Sequence, residues 1–184
     1  MIKKIVKKIR HLKWIFFSLE KQACSVGVQM GKNNFIASKF WSTEPYLITI
    51  GSNCQITNGV KFFTHGGAGA VRKFYPEFDC FGKIKLGDYV YIGNNSLIMP
   101  GVSIGDNVLI AAGSVVVKSI PDNCVVGGNP ASFICTIDSY INKNKKFNLN
   151  TKKNSASEKK KILLSLSTEK FIKKRDIKIN SIDL

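Results

Sequence analysis

Acidic residues are scarce in this chain of 184 residues, where 12 aspartates and glutamates face 28 lysines and arginines. Histidine is scarcer still, with only His11 and His65. The five cysteines, Cys24, Cys54, Cys80, Cys124 and Cys135, form no CxxC pair, and one is left over after any pairing. That excludes a disulfide scaffold and a cysteine-ligated zinc module, and it predicts a reducing, cytoplasmic setting in which the thiols serve as small apolar packers. Long apolar runs are also missing. In MIKKIVKKIRHLKWIFFSLEK a charge interrupts every three or four residues, so the segment predicts neither a signal peptide nor a membrane span.

The excess positive charge is concentrated at the ends. Residues 1–22 carry a net +6 and residues 143–184 a net +9, whereas residues 23–142 carry only +1. The central region therefore needs no polyanionic partner, and no aromatic-basic interleaving or known module points to nucleic acid. Ile2, Ile5, Val6, Ile9, Leu12, Phe16 and Leu19 recur at helical spacing opposite lysines, which predicts an amphipathic basic helix over 1–22. Residues 135–184 read as a helical, lysine-rich extension, with Ser155 and Glu158 forming a capping box. Two readings of these ends stay open: peripheral contact with the anionic inner face of a membrane, and solvated faces that cap the domain and pack between subunits.

Between the ends lies a period of six. From residue 86 the chain reads LGDYVY, IGNNSL, IMPGVS, IGDNVL, IAAGSV, VVKSIP, with Leu86, Ile92, Ile98, Ile104, Ile110 and Val116 in first position. Val90, Ser96, Val102, Val108, Ser114 and Ile120 stand fifth. A helix repeats its apolar face every three to four residues and a strand every two, so neither explains six; a short strand plus a turn does. IGSNCQ and ITNGVK, from Ile50 and Ile56, hold the same frame. A fainter copy at Met30 and Ile36 joins it only through a two-residue slip near Ser42 to Tyr46. The expectation is an all-β solenoid over 23–134, interrupted by an ejected loop over 66–83.

Residues 48–134, and above all YIGNNSLIMPGVSIGDNVLIAAGSVVVKSIPDNCVVGGNPA at 91–131, resemble the hexapeptide-repeat acyltransferases, in particular the maltose and galactoside O-acetyltransferases and those of capsule and lipopolysaccharide. The resemblance implies a left-handed parallel β-helix with three hexapeptides per coil, flanked here by N- and C-terminal helical extensions. It further implies a homotrimer with acetyl-CoA in the groove between subunits, no metal, and transfer of an acetyl group to a sugar hydroxyl in surface-polysaccharide biosynthesis. His65, just before the loop, takes the place of the family's catalytic base. An imidazole suits that role because it titrates near neutrality, at about pH 6.5. Glu77 and Asp79 in the same loop are the candidates for orienting its ring or meeting the acceptor, with a solvated role as the alternative.

On the donor side the resemblance assigns Asn94 to the thioester, Tyr91 to the wall around the thiol, Ala112 and Gly113 to the pantetheine arm, and Val117 and Lys118 to the cofactor path. The family's basic residues after GNPA are replaced by Ser132 and Cys135, which predicts weaker coenzyme binding. Where the sugar enzymes offer amides to the acceptor, this chain carries Ser38 and Lys39, which predicts a different sugar. Two competing functions remain: N-acetylation of an amino sugar and a catalytically silent trimeric scaffold. A γ-type carbonic anhydrase, which the same fold hosts, needs three zinc-binding histidines that two cannot supply.

Overall fold

The computed structural model describes residues 17–174 and 176. The chain divides into two compact units, residues 1–138 and 139–184. In the first, helix α1 (Leu19–Val26) starts behind Ser18, whose side chain accepts from the Lys21 N–H, and stops at Gly27 in the left-handed conformation. Residues 1–16, which hold most of the expected amphipathic helix, lie outside the described residues. The helix that is described begins only after the Ser18 cap.

Short strands follow: β1 (Gln29–Met30), β2 (Phe35–Ile36), β3 (Ile48–Ile50), β4 (Gln55–Ile56), β5 (Lys61–Phe62), β6 (His65–Gly66), β7 (Cys80–Phe81) and β8 (Ile84–Leu86). After them come β9 (Tyr91–Ile92), β10 (Leu97–Ile98), β11 (Ser103–Ile104), β12 (Leu109–Ile110), β13 (Val115–Val116), β14 (Cys124–Gly128) and β15 (Ala131–Thr136). Thirteen of them form three sheets, ordered β1-β3-β8-β11, β2-β4-β9-β12-β14-β15 and β5-β10-β13, and β6 with β7 forms a separate pair. All pairings in these sheets are parallel except β14 with β15, a closing antiparallel hairpin.

Register shows why the period is six. Tyr91 pairs with Leu109 and Leu97 with Val115, so sheet neighbours are eighteen residues, or three hexapeptides, apart. First-position residues point inward and are buried: Ile56, Ile92 and Ile110 in one column, Phe62, Ile98 and Val116 in another. Fifth-position Ser96 and Ser114 are buried too, and they survive there because the Ser96 hydroxyl donates to the Gly93 carbonyl at 2.8 Å and that of Ser114 to the Ala111 carbonyl at 2.6 Å.

Departures from eighteen mark insertions and deletions. Lys61 pairs with Leu97, thirty-six apart, because the loop leaves the stack and the chain returns in frame. Ile36 pairs with Ile56 and Met30 with Ile50, twenty apart, and the surplus is absorbed before a 3₁₀ turn at Pro45–Leu47. In the last coil the expected frame is corrected. Ile120 bridges Ile104 and Val125 pairs with Leu109, both sixteen apart. Ile120 therefore takes an inward first position rather than the fifth position of VVKSIP, because that corner is two residues short.

One corner is held by a ladder of aspartates. Asp88 Oδ1 accepts the Ser52 N–H at 2.7 Å, Asp106 Oδ1 the Asp88 N–H at 2.7 Å, and Asp122 Oδ1 the Asp106 N–H at 2.8 Å. Each carboxylate sits where a Cβ on the glycine below would be, 2.1 Å from that of Gly87 and 2.0 Å from that of Gly105. This is why Gly-Asp recurs.

The second unit contains most of helix α3 (Ile137–Asn144) and helix α4 (Ala156–Ser165). The Ser155–Glu158 capping box is present, with both reciprocal bonds made.

Candidate active site

The loop leaves the solenoid at His65. There β6 and β7 pair antiparallel, His65 opposite Phe81, so the base of the loop is zipped while its tip carries helix α2 (Gly69–Arg72) and exposed Phe74 and Tyr75. The imidazole faces out of the solenoid, with the side chain 42% exposed.

Its partner comes from the previous coil. Glu44 Oε2 lies 3.0 Å from His65 Nδ1, and Thr43 Oγ1 lies 3.2 Å from the same nitrogen. Thr43 donates to Glu44 Oε1 at 2.7 Å, and the buried Thr64 hydroxyl lies 2.7 Å from Glu44 Oε2. Hydrogen bonds from Thr43 first, then Thr64 and His65, hold the Glu44 carboxyl down at about 2. An ionised carboxylate only accepts, and Thr43 has already given its proton to Glu44. Both groups facing Nδ1 are therefore acceptors, so Nδ1 carries a proton, and in the neutral ring the lone pair lies on Nε2. That is the form a general base requires.

Glu44 was not found by sequence reasoning. The two loop carboxylates lie elsewhere: Asp79 approaches Arg72 Nη2 at 3.7 Å, and Glu77 is exposed. Neither makes a hydrogen bond or ion pair with His65. The signal for Glu44 was the two-residue slip itself, since the surplus residues at Ser42 to Tyr46 carry Thr43 and Glu44 up to the imidazole.

Ser38 and Lys39 line a cavity of about 550 Å³ beside this network, together with Leu19, Trp41, Thr43 and Tyr46. The Ser38 hydroxyl is buried and donates to the Val60 carbonyl, so it shapes the corner rather than facing the cavity as a free donor. Asn94, Ala112 and Gly113 meet at a different corner, where the Asn94 carbonyl accepts the Gly113 N–H at 2.8 Å and Gly113 is left-handed. Gly93 must be glycine there, because a Cβ would lie 2.4 Å from the Ala112 nitrogen. Tyr91 points outward from β9, half-exposed. Exposed Val117 and Lys118 follow β13, whose sheet also contains β5, the strand that leads to His65. Lys118 and Ser132 line a single cavity of about 360 Å³. No cluster of three metal-ligating side chains occurs among the described residues.

Residues 83–118 match the family model described as bacterial transferase hexapeptide (six repeats). Protein CapG of Staphylococcus aureus is 47% identical over 164 residues, covering 84% of this chain and 95% of the relative. The chain belongs to the hexapeptide-repeat acyltransferases. Galactoside O-acetyltransferase of Escherichia coli K12 is 34% identical over 116 residues, 60% of this chain and 55% of that protein. Among solved structures, a hexapeptide-repeat acetyltransferase of Vibrio cholerae complexed with acetyl coenzyme A superposes with a TM-score of 0.54 at 29% identity, covering 60% of each chain. Together these imply the left-handed turn of the three-sheeted stack. The acyltransferase has no described helix long and apolar enough to cross a membrane.

Proposed function

We propose that this protein is an O-acetyltransferase that moves the acetyl group of acetyl-CoA to a sugar hydroxyl in surface-polysaccharide biosynthesis, with His65 as the general base. The observation that carries it is the Glu44–His65 pair at the mouth of an ejected loop, within a fold whose solved relative binds acetyl coenzyme A. Nε2 of His65 takes the acceptor's hydroxyl proton as its oxygen attacks the thioester carbonyl carbon. As the tetrahedral intermediate collapses, the carbon–sulfur bond breaks and the imidazolium returns the proton to the leaving thiolate, giving free coenzyme A and the ester. Glu44 stabilises the transient imidazolium.

On this reading the pantetheine arm lies along Ala112 and Gly113, the thioester oxygen meets the Asn94 amide, Tyr91 walls the thiol, and Val117 and Lys118 flank the path to the phosphates. The acceptor is met from the side of Ser38, Lys39 and the loop residues Glu77 and Asp79. A homotrimer completes the donor groove, and the exposed Phe74, Tyr75 and Phe81 of the loop suit a contact with a neighbouring copy. The five free cysteines suit a cytoplasmic enzyme, with the inner membrane face as the site of a lipid-linked acceptor.

Thiol release from acetyl-CoA, measured with a panel of sugars for wild type and His65→Ala, tests this. Loss of at least about a hundredfold in kcat is expected. Equal release by both proteins would remove His65 as the base. Amino-sugar N-acetylation would instead show a defect that shrinks as pH rises and the acceptor amine loses its own proton.

A further inference from the structure

The carboxylate that orients His65 is itself held by residues that the acetyl-transfer chemistry does not touch. Thr64 is fully buried, and its Oγ1 lies 2.7 Å from Glu44 Oε2 and 2.9 Å from Ser42 Oγ. A hydroxyl has one proton. Because an ionised carboxylate is the stronger acceptor, Thr64 gives its proton to Glu44, with Ser42 Oγ as the weaker second acceptor of the same hydroxyl. Ser42 Oγ in turn accepts the Thr64 backbone N–H at 3.2 Å.

Ser42 adopts φ 63°, a left-handed conformation that is unfavourable for serine. It stands at the start of the surplus turn. That conformation brings its hydroxyl onto Thr64 while the next two residues bring Thr43 and Glu44 onto the imidazole. The donors converge on one carboxylate: Thr64 donates to Glu44 Oε2, Thr43 to Glu44 Oε1, and His65 Nδ1–H to Glu44 and Thr43, while Ser42 Oγ accepts from the Thr64 backbone. The buried Thr64 hydroxyl cannot turn away from Glu44 without losing its strongest acceptor.

We propose that Thr64 and Ser42 are positioning residues of the acyl-transfer reaction: Ser42 Oγ holds the Thr64 backbone, and the Thr64 hydroxyl fixes Glu44 and thereby the Nδ1–H tautomer of His65. The proposal rests on His65 being the base, yet the tautomer can be read without any substrate. The two-residue insertion then has a purpose: it builds this network.

The test is ¹⁵N NMR of the imidazole at pH 8, with the His65 signals assigned against His65→Ala, alongside steady-state kinetics. In wild type, Nδ1 gives the protonated signal and Nε2 the unprotonated one. Thr64→Val keeps the shape but not the hydroxyl; it is expected to mix the tautomers and to lower kcat by about tenfold to a hundredfold, with the KM for acetyl-CoA unchanged. Thr64→Ser should restore both readouts. Ser42→Gly keeps the left-handed backbone and removes the acceptor that holds Thr64, so it tests the idea even if Thr64→Val fails to fold. A wild-type tautomer and wild-type kcat in Ser42→Gly and in folded Thr64→Val would overturn the proposal, whatever His65→Ala does. An inactive His65→Gln beside those results would leave the base assignment standing.

Discussion

Glu44 Oε2 lies 3.0 Å from Nδ1 of His65, although twenty-one residues separate the two along the chain. The contact has a consequence for stability as well as chemistry. In the folded protein the Glu44 carboxyl is held down at about 2, against an ordinary 4.5 in the unfolded chain. A depressed carboxyl stabilises the fold fully above the unfolded value, and that stabilisation is lost as pH falls from about 4.5 toward 2. Urea midpoints of wild type and Glu44→Gln should therefore differ at pH 6 and converge by pH 2. A gap that is constant across that range would mean that the loss comes from packing rather than from the charge.

The aspartate ladder is expected to bear on the stacking of successive coils. Asp106→Ala leaves the Asp88 N–H without its acceptor at an exposed corner and should cost about 1 kcal/mol, whereas Asp106→Asn keeps an acceptor oxygen and should cost much less. Gly105→Ala drives a methyl to 2.0 Å from Asp122 Oδ1 and 2.7 Å from its backbone nitrogen, and should cost about 1–3 kcal/mol. Chemical denaturation of the three variants checks the order. If Asp106→Asn is as damaging as Asp106→Ala, the ladder is not acting through the accepted N–H.

Tyr89 offers a stabilising substitution. It has φ 57° at a corner where the equivalent residues are Asn53, Asn107 and Asn123, at φ 59°, 55° and 59°. Asparagine tolerates the left-handed region far better than a large side chain does. The tyrosine ring is mostly exposed, so it gives up little packing in exchange. Tyr89→Asn should raise the denaturation midpoint by the equivalent of about 0.5–1 kcal/mol. A lower midpoint would show that the ring makes a contact in the assembled protein that outweighs the strain.

The columns were legible in the sequence because burial at every sixth position leaves no choice of residue: Ile92, Ile98, Ile104 and Ile110 each fill the interior and can be read off one by one. Ser96 and Ser114 keep the period only because carbonyls inside the stack satisfy them. His65 was legible from its place beside the interruption. Glu44 was not, since its contact arises from a change of coil length, and chain proximity favoured Glu77 and Asp79. Asp79 instead lies near Arg72, at the end of the loop's short helix. The short last coil was missed for the same kind of reason: VVKSIP satisfies the six-residue pattern, yet Ile120 satisfies the interior equally well two residues early.

Coenzyme affinity is the last point at which sequence and structure make one expectation. Ser132 stands where the resembling enzymes carry a cation, and it lines the same cavity as Lys118. If the phosphates of acetyl-CoA pass this cavity, Lys118 meets them as a lone point charge, and a second cation should add a charge-assisted bond. Ser132→Arg is therefore expected to lower the KM for acetyl-CoA about tenfold, the equivalent of about 1.4 kcal/mol, with kcat unchanged. Lys118→Gln should raise that KM, and the arginine in the double variant should recover most of the loss. Raising the ionic strength should shrink each effect, because both act through exposed charge. A KM that ignores both substitutions would place the phosphates elsewhere on the molecule and leave this cavity without a role in donor binding.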